Sequence, residues 1–215
     1  YGQFDLVFSY ASGAEFTAEE IAILDVPLAH AGTMWEGAIA GYQPGISILN
    51  VAVEIRSTNY GLAAANFTYS TWQGGFRLAT AGFILVNPFY IDSFSLGVDP
   101  EGHFNTGLNY MDELLAHEIG HILGIGTLWD DNGIYTPDDW TAEDPVGDYL
   151  GAHGLAAYQN EFDATALFVP VELAGSAGTA NGHWDQLMRS SEQEGNPNDP
   201  WPLSPLTGIT DTEGR

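Results

Sequence analysis

The sequence predicts an α+β fold: a twisted mixed sheet, a central helix and a loop-rich C-terminal lobe. Alternating apolar residues mark strands in the first half, and a helical apolar spacing marks the central helix just before residue 124. Beyond that helix Gly, Pro and Asp become frequent, which is typical of irregular chain. The 215 residues suffice for one substantial core. We therefore expect a single domain over residues 1–215, with an N-terminal lobe at 1–124, a C-terminal lobe at 125–215 and a cleft between them.

The first elements are predicted to be a strand and a long helix. Residues Gln3–Tyr10 alternate loosely between apolar and polar side chains, which favours a strand. The motif Thr17-Ala18-Glu19-Glu20 is a capping box, so a helix should begin directly after Thr17. Pro27 is expected to kink or restart this helix, whose apolar face continues to Ala40.

Two further strands precede the central helix. Ile46–Ile55 has the clearest strand pattern in the chain, and Phe83–Val86 is a second strand that the following Asn-Pro ends. Between them, Asn59–Gly75 is rich in Gly, Ala and Asn and is predicted to be loop.

The central helix is predicted over Gly107–Leu123, with Asn105 or Thr106 as its N-cap. An irregular, Asp-rich passage follows it. The remaining expected features are a short helix over Gly154–Asn160, an apolar stretch over Ala166–Leu173, a Gly-rich turn over Gly175–Gly182 and an extended tail over Asn196–Pro205.

Composition excludes several classes of function. Twenty-nine acidic residues against four arginines give a net charge of −25, which would repel nucleic acid and anionic membranes. No run of eighteen apolar residues is present to span a membrane. The chain has no cysteine, so thiolate metal sites and disulfides are excluded. The acidic balance and the start at Tyr1 without Met favour a processed, secreted protein, which we expect to be a monomer.

The central helix carries the motif His117-Glu118-Ile119-Gly120-His121. Residues four apart lie on one face of a helix, so the two imidazoles can point at one metal ion. This is half of a tetrahedral zinc site, and Glu118 lies where a carboxylate could deprotonate a metal-bound water. Gly124 can end the helix in a left-handed turn. Compact metzincin peptidases place a third His three residues after that Gly, but Thr127 occupies the position here.

The third ligand must therefore come from elsewhere. His30 and His103 are expected to be ordinary surface or core residues. His153 is plausible because glycines flank it, and His183 is better placed because it follows a Gly-rich turn. Five residues after His183 comes Met188, and metzincins place a Met beneath the metal after the third His.

The chain resembles the leishmanolysin-like zinc peptidases, a metzincin branch with a long insertion before the third His. The segments that carry the resemblance are His117–Trp129, Phe168–Glu172 and Gly182-His183-Trp184, with weaker similarity at Met34-Trp35-Glu36, Leu187-Met188 and Pro202-Leu203-Ser204. The eukaryotic members are disulfide-rich and membrane-anchored, so this cysteine-free chain is similar to a compact bacterial-type relative. The resemblance implies a metzincin-like two-lobed domain with His117, His121 and His183 as zinc ligands, Glu118 as general base and Met188 in the Met-turn.

These implications predict a secreted zinc endopeptidase that hydrolyses peptide bonds of a protein or peptide substrate through a metal-bound water activated by Glu118. The extended substrate is expected to pair with a sheet-edge strand such as Phe83–Val86. Two alternatives belong to other classes: a zinc hydrolase acting on a non-peptide bond, and a non-catalytic, calcium-dependent secreted binding module with a structural zinc. Retention of Glu118, which a structural site does not need, argues against the second.

The acid excess also predicts structural calcium, with the Asp-rich passage from Asp130 to Asp148 as the expected region. Unneutralised carboxylates repel one another, and calcium binds oxygen ligands of this kind. Adding calcium at fixed ionic strength should raise the melting temperature in a thermal scan. A melting temperature that magnesium and calcium leave equally unchanged would contradict this expectation.

Overall fold

The structure, a computed structural model, describes residues 4–39, 41–47, 49–98, 109–137, 146–173 and 180–184. The chain divides into two compact units, Tyr1–Thr127 and Leu128–Arg215. The described residues form a mixed α+β structure, which confirms the predicted class. Among the helices described, none combines the length and apolar character needed to cross a membrane.

The first unit is built on a four-stranded mixed sheet. Its strands are β1 (Asp5–Tyr10), β2 (Asn50–Ser57), β3 (Ala63–Gln73) and β4 (Phe76–Val86). They lie in the order β1-β2-β4-β3, in which β1, β2 and β4 are parallel and β3 is antiparallel to β4. The helices are α1 (Ala18–Ala38), α2 (Ile91–Ser95) and α3 (Tyr110–Leu123), with a 3-10 turn at Pro88–Tyr90 before α2.

Helix α1 begins where the capping box predicts. The Thr17 hydroxyl accepts a hydrogen bond from the Glu20 N–H, and the Glu20 carboxylate accepts one from the Thr17 N–H. Pro27 lies inside the helix, which runs on without restarting to Ala38. The long connection through α1 is what allows β1 and β2 to pair in parallel.

Helices and strands meet in one apolar core in this unit. Alternate residues of β2 are buried and alternate residues are exposed or half-buried, as the sequence pattern predicts. The core residues shared by the sheet and the helices include Leu24, Leu28, Val51, Val53, Ile55, Ile84, Val86, Met111, Leu115, Ile119 and Ile122. Helix α3, the predicted central helix, is therefore held by its apolar side against the sheet.

Strand β3 corrects two predictions. The passage Asn59–Gly75 was expected to be loop, but Ala63–Gln73 forms an eleven-residue strand. Strand β4, which contains Phe83–Val86, lies between β2 and β3, so the expectation that it is a sheet edge is wrong and the edge strands are β1 and β3. Residues of β3 are exposed or only half-buried, so the strand contains no run of large apolar residues that would mark it in the sequence.

A signal for β3 was present at its end. Gly74 and Gly75 both have positive φ, +58° and +86°, and join β3 to β4 as a two-residue hairpin loop. Consecutive glycines between two segments rich in aromatic and β-branched residues are a hairpin pattern.

The start of α3 also differs from the prediction. The helix begins at Tyr110 rather than near Gly107, and Asn109, not Asn105 or Thr106, is the N-cap. The Asn109 side chain accepts a hydrogen bond from the Met111 N–H, which satisfies one of the helix's free donors.

The second unit contains a three-stranded antiparallel sheet and one described helix. Its strands lie in the order β5 (Tyr135–Thr136), β6 (Gly147–Tyr149) and β7 (Val169–Val171). Helix α4 (Ala152–Glu161) covers the predicted short helix at Gly154–Asn160. The predicted tail Asn196–Pro205 lies outside the described residues.

Gly82 fixes how closely α3 approaches the sheet. A Cβ added there would lie 2.6 Å from Ile122 Cγ2 of α3 and 2.7 Å from the carbonyl oxygen of Asn66 in β3. Gly82→Ala should therefore destabilise the fold by about 1–3 kcal/mol, because backbone and helix must both shift. Chemical denaturation measures this.

Gly37→Ala is the matched control. Gly37 lies exposed in the last turn of α1 with open space around it, so alanine should be neutral or stabilise by up to about 1 kcal/mol. Equal effects of the two substitutions would contradict the close packing of α3 at Gly82.

Candidate metal centre

Helix α3 carries the first part of the site and is held in place by Trp35 of α1. The Trp35 indole N–H donates a hydrogen bond of 2.8 Å to the Ala116 carbonyl. Gly120, on the same helix, leaves room for the ring, since a Cβ there would lie 3.2 Å from Trp35 Cζ2. Glycine inside a helix is unfavourable by itself, and the indole packed against it gives a reason for its presence in the motif.

His117 and His121 lie one helical turn apart and face each other. Their Nε2 atoms are 3.0 Å apart, and their ring centroids are 4.6 Å apart. His121 is buried, whereas His117 is exposed. Two ligands at about 2.0–2.1 Å from a tetrahedral zinc ion would be about 3.3 Å apart, so the observed spacing suits a shared ion.

The end of α3 orients His121. Gly124 is the C-cap in the left-handed conformation, with φ +113°, as the sequence predicts. The chain then turns back, and the Ile125 N–H donates to the Gly120 carbonyl at 3.0 Å. In this turn the Ile125 carbonyl oxygen lies 2.9 Å from His121 Nδ1. A carbonyl only accepts hydrogen bonds, so Nδ1 carries the proton and Nε2 presents its lone pair towards His117.

Thr127, which stands where compact metzincins have their third His, has a different role. Its hydroxyl donates a hydrogen bond of 2.5 Å to the His121 carbonyl. The same carbonyl also accepts a hydrogen bond of 3.2 Å from the Gly124 N–H, so Thr127 adds a second bond at the helix end.

Glu118 is buried beside these histidines. Its side chain is 5% exposed, and burial raises its pKa to about 7. A cation nearby would oppose this shift, because positive charge favours the carboxylate. With a cation bound nearby, the carboxylate would be ionised and able to accept a proton.

His183 lies on a short segment of the second unit that pairs with β7. The Glu172 N–H donates to the His183 carbonyl at 2.9 Å, the Asn181 N–H donates to the Glu172 carbonyl at 2.7 Å, and Val171 forms an antiparallel bridge with Trp184. The apolar stretch predicted at Ala166–Leu173 thus supplies the strand that supports His183.

The structure brings three of the predicted residues together. One ring nitrogen from each of His117, His121 and His183 lies within 4.8 Å of the other two. Within the described ranges, this is the one group of three or more His, Asp or Glu side chains found close enough to hold an ion. Three histidines at this spacing could hold a metal ion, and an all-imidazole donor set fits zinc among other transition metals.

The other histidines are placed elsewhere or not described. His30 Nδ1 lies 3.2 Å from an Asp112 carboxylate oxygen, which links α1 to α3. His153 lies in the first turn of α4 and is not in the group of three. His103 and Met188 lie outside the described residues, so the Met-turn assignment stays a prediction.

Comparison with models of known protein families finds no match to this chain, and comparison with curated protein sequences finds none either.

Sequence reasoning missed two residues that support the site. The Ile125 carbonyl could not be read from side-chain patterns, although the helix-ending Gly124 is the signal that the chain turns back there. The role of Trp35 was missed because its hydrogen bond to Ala116 joins residues far apart in sequence. A glycine inside the helix, Gly120, was the sign that a large side chain packs there.

Substitution of His183 tests the group of three. His183→Ala should lower zinc affinity by orders of magnitude, because the protein would lose one of three ligands. His153→Ala should leave the affinity unchanged. Competition with a chromophoric chelator measures both, and equal affinities for the two variants would contradict the placement of His183.

Proposed function

We propose that this chain is a zinc-dependent endopeptidase in which His117, His121 and His183 hold the metal and Glu118 is the general base. The observation that carries the proposal is the group of three histidines, together with a buried carboxylate next to one of them that is not itself a member of the group. A purely structural zinc site gains nothing from such a carboxylate, whereas hydrolysis needs one.

The metal requirement follows from the donor set. Zinc bound by three neutral imidazoles would supply an open position for water and Lewis-acid polarisation of a scissile carbonyl. His121 is prepared for this role because the Ile125 carbonyl fixes its tautomer. Thr127 adds a second bond at the same turn, so the ligand-bearing end of α3 is anchored twice.

Glu118 would carry the proton through the reaction. Its carboxylate would take a proton from the attacking water and give it to the leaving amine nitrogen as the peptide bond breaks. Burial supports this role because desolvation raises the pKa of Glu118 and so strengthens the carboxylate as a base, in opposition to the lowering that a bound cation would cause. Helix α3 packs against the sheet, so the backbone of Glu118 is held in place.

Strand β3 is the place where an extended substrate would pair. It is an edge of the mixed sheet in the first unit, and eleven residues give it free backbone groups over a long distance. Helix α3 packs against β3 as well as against β4. An extended peptide added to β3 would therefore run beside the helix that carries His117 and His121.

A leishmanolysin-like, metzincin-type domain is the fold that we infer for this activity. A mixed sheet with an antiparallel edge strand and a metal-binding helix that ends at a left-handed glycine support it. Secretion, a monomeric state and structural calcium belong to the same proposal.

Glu118→Gln tests the catalytic role directly. The substitution keeps size and packing but removes the basic carboxylate, so cleavage of casein should fall by about 10²–10⁴-fold while the zinc content stays at one per chain. Glu113→Gln, an exposed position on the same helix, is the control and should cleave casein like the unaltered protein.

Two outcomes would count against the proposal. Glu118→Gln with undiminished cleavage would remove the general base. A zinc-loaded protein that cleaves no peptide, with or without Glu118, would leave only a structural site or a hydrolase of another bond.

A further inference from the structure

Among the described residues, the segment that carries His183 (180–184) pairs with little regular structure. Strand β5 has two residues, and β6 and β7 have three each. Sheets this short hold their register weakly by backbone hydrogen bonds alone. Additional contacts are therefore expected to determine where His183 lies.

Trp184, the residue after His183, supplies such contacts. Its ring centroid lies 4.6 Å from that of Trp129, at an interplanar angle of 34°, and 5.0 Å from that of Tyr149, at 85°. Trp129 is 4% exposed and also contacts Tyr149, at 5.1 Å. The three rings thus contact one another pairwise, which limits the ways in which Trp184 can move.

A fourth ring holds the other side of the segment. The Tyr135 hydroxyl donates a hydrogen bond of 2.5 Å to Asn181 Oδ1, and the Tyr135 ring lies 6.1 Å from that of Trp129. Asn181 has φ +64°, a left-handed conformation that Asn tolerates better than most residues. We call Trp129, Tyr135, Tyr149 and Trp184 the aromatic cluster. On one side of His183, Asn181 bonds to this cluster; on the other side, Trp184 belongs to it.

Glycines make room for both tyrosines of the aromatic cluster. A Cβ at Gly147 would lie 2.5 Å from the Tyr135 hydroxyl oxygen, and one at Gly151 would overlap the Tyr149 hydroxyl. The rings thus occupy space that any other residue at these positions would fill. The positions of the two tyrosine rings therefore depend on these glycines.

We propose that Trp184 is a positioning residue: through the aromatic cluster it holds His183 where its ring can complete the metal site. This inference rests on the proposed metal site. Trp184 itself is not a ligand, because its indole N–H has no lone pair to offer. Its effect reaches the metal only through the position of the preceding residue.

The test compares Trp184→Ala and Trp184→Phe in the full chain. Zinc affinity is measured by chelator competition. In a second measurement cobalt replaces zinc, and its visible absorption is recorded. The intensity of this absorption falls when water replaces a protein ligand and the site is no longer four-coordinate. Trp184→Ala should lower zinc affinity about tenfold to a hundredfold, as for other residues that orient a ligand, and weaken the cobalt bands. Trp184→Phe keeps a ring against Trp129 and should recover most of both.

Phe162→Ala is the matched control. Phe162 is an aromatic residue of the same unit that packs on Tyr158 rather than on the aromatic cluster. It should leave zinc affinity and the cobalt spectrum unchanged even where it lowers the melting temperature. Comparison of Phe162→Ala with Trp184→Ala therefore separates a general loss of stability from a displacement of His183.

A second variant covers the case in which Trp184→Ala does not fold. Tyr135→Phe removes only the hydroxyl that bonds to Asn181, and should shift zinc affinity and the cobalt spectrum in the same direction by a smaller factor. The proposal would be overturned if each of these two variants that folds keeps the zinc affinity and the cobalt spectrum of the unaltered protein.

The outcomes also separate this proposal from the metal site on which it rests. If His183→Ala loses zinc but Trp184→Ala and Tyr135→Phe do not, the positioning role fails and the metal site stands. If the unaltered chain binds no zinc, or His183→Ala binds it normally, both fail.

Discussion

The left-handed end of α3 at Gly124 is the constraint on which the candidate centre depends. A residue with a side chain would resist φ +113°. This turn brings the Ile125 carbonyl to His121 Nδ1 and the Thr127 hydroxyl to the His121 carbonyl. One glycine therefore ends the helix, sets the tautomer of His121 and brings the Thr127 hydroxyl to the helix end. Without it the two histidines would still share a helix face, but the lone pair of His121 would have no fixed direction.

The electrostatics of the chain agree with a cation at this place. A net charge of −25 creates a field that attracts cations. At the centre itself, two imidazoles with facing nitrogens lie on the same helix as a carboxylate with a raised pKa. A bound divalent ion would take both ring nitrogens as ligands and would favour the ionised form of the buried carboxylate.

The parts of the fold that sequence predicted are those encoded locally. The capping box at Thr17 located the start of α1 to the residue, and the helical spacing of His117 and His121 needed no long-range information. Strand β3 was missed because its half-buried face begins with small residues, Ala63 and Ala65, and the clearest sign of its pairing with β4 is the pair of hairpin glycines. The start of α3 was misplaced because several Asn and Thr residues before it can all serve as caps.

Which histidine approaches the pair on α3 depends on closing the chain over residues 122–182, and loop-closure cost rises too slowly with length to choose among candidates. Diffraction from zinc-loaded crystals at the zinc absorption edge would identify that histidine. We predict one anomalous peak at about 2.0–2.1 Å from a ring nitrogen of each of His117, His121 and His183. A peak bound to α3 but coordinated by a carboxylate or by His153 in place of His183 would contradict this prediction.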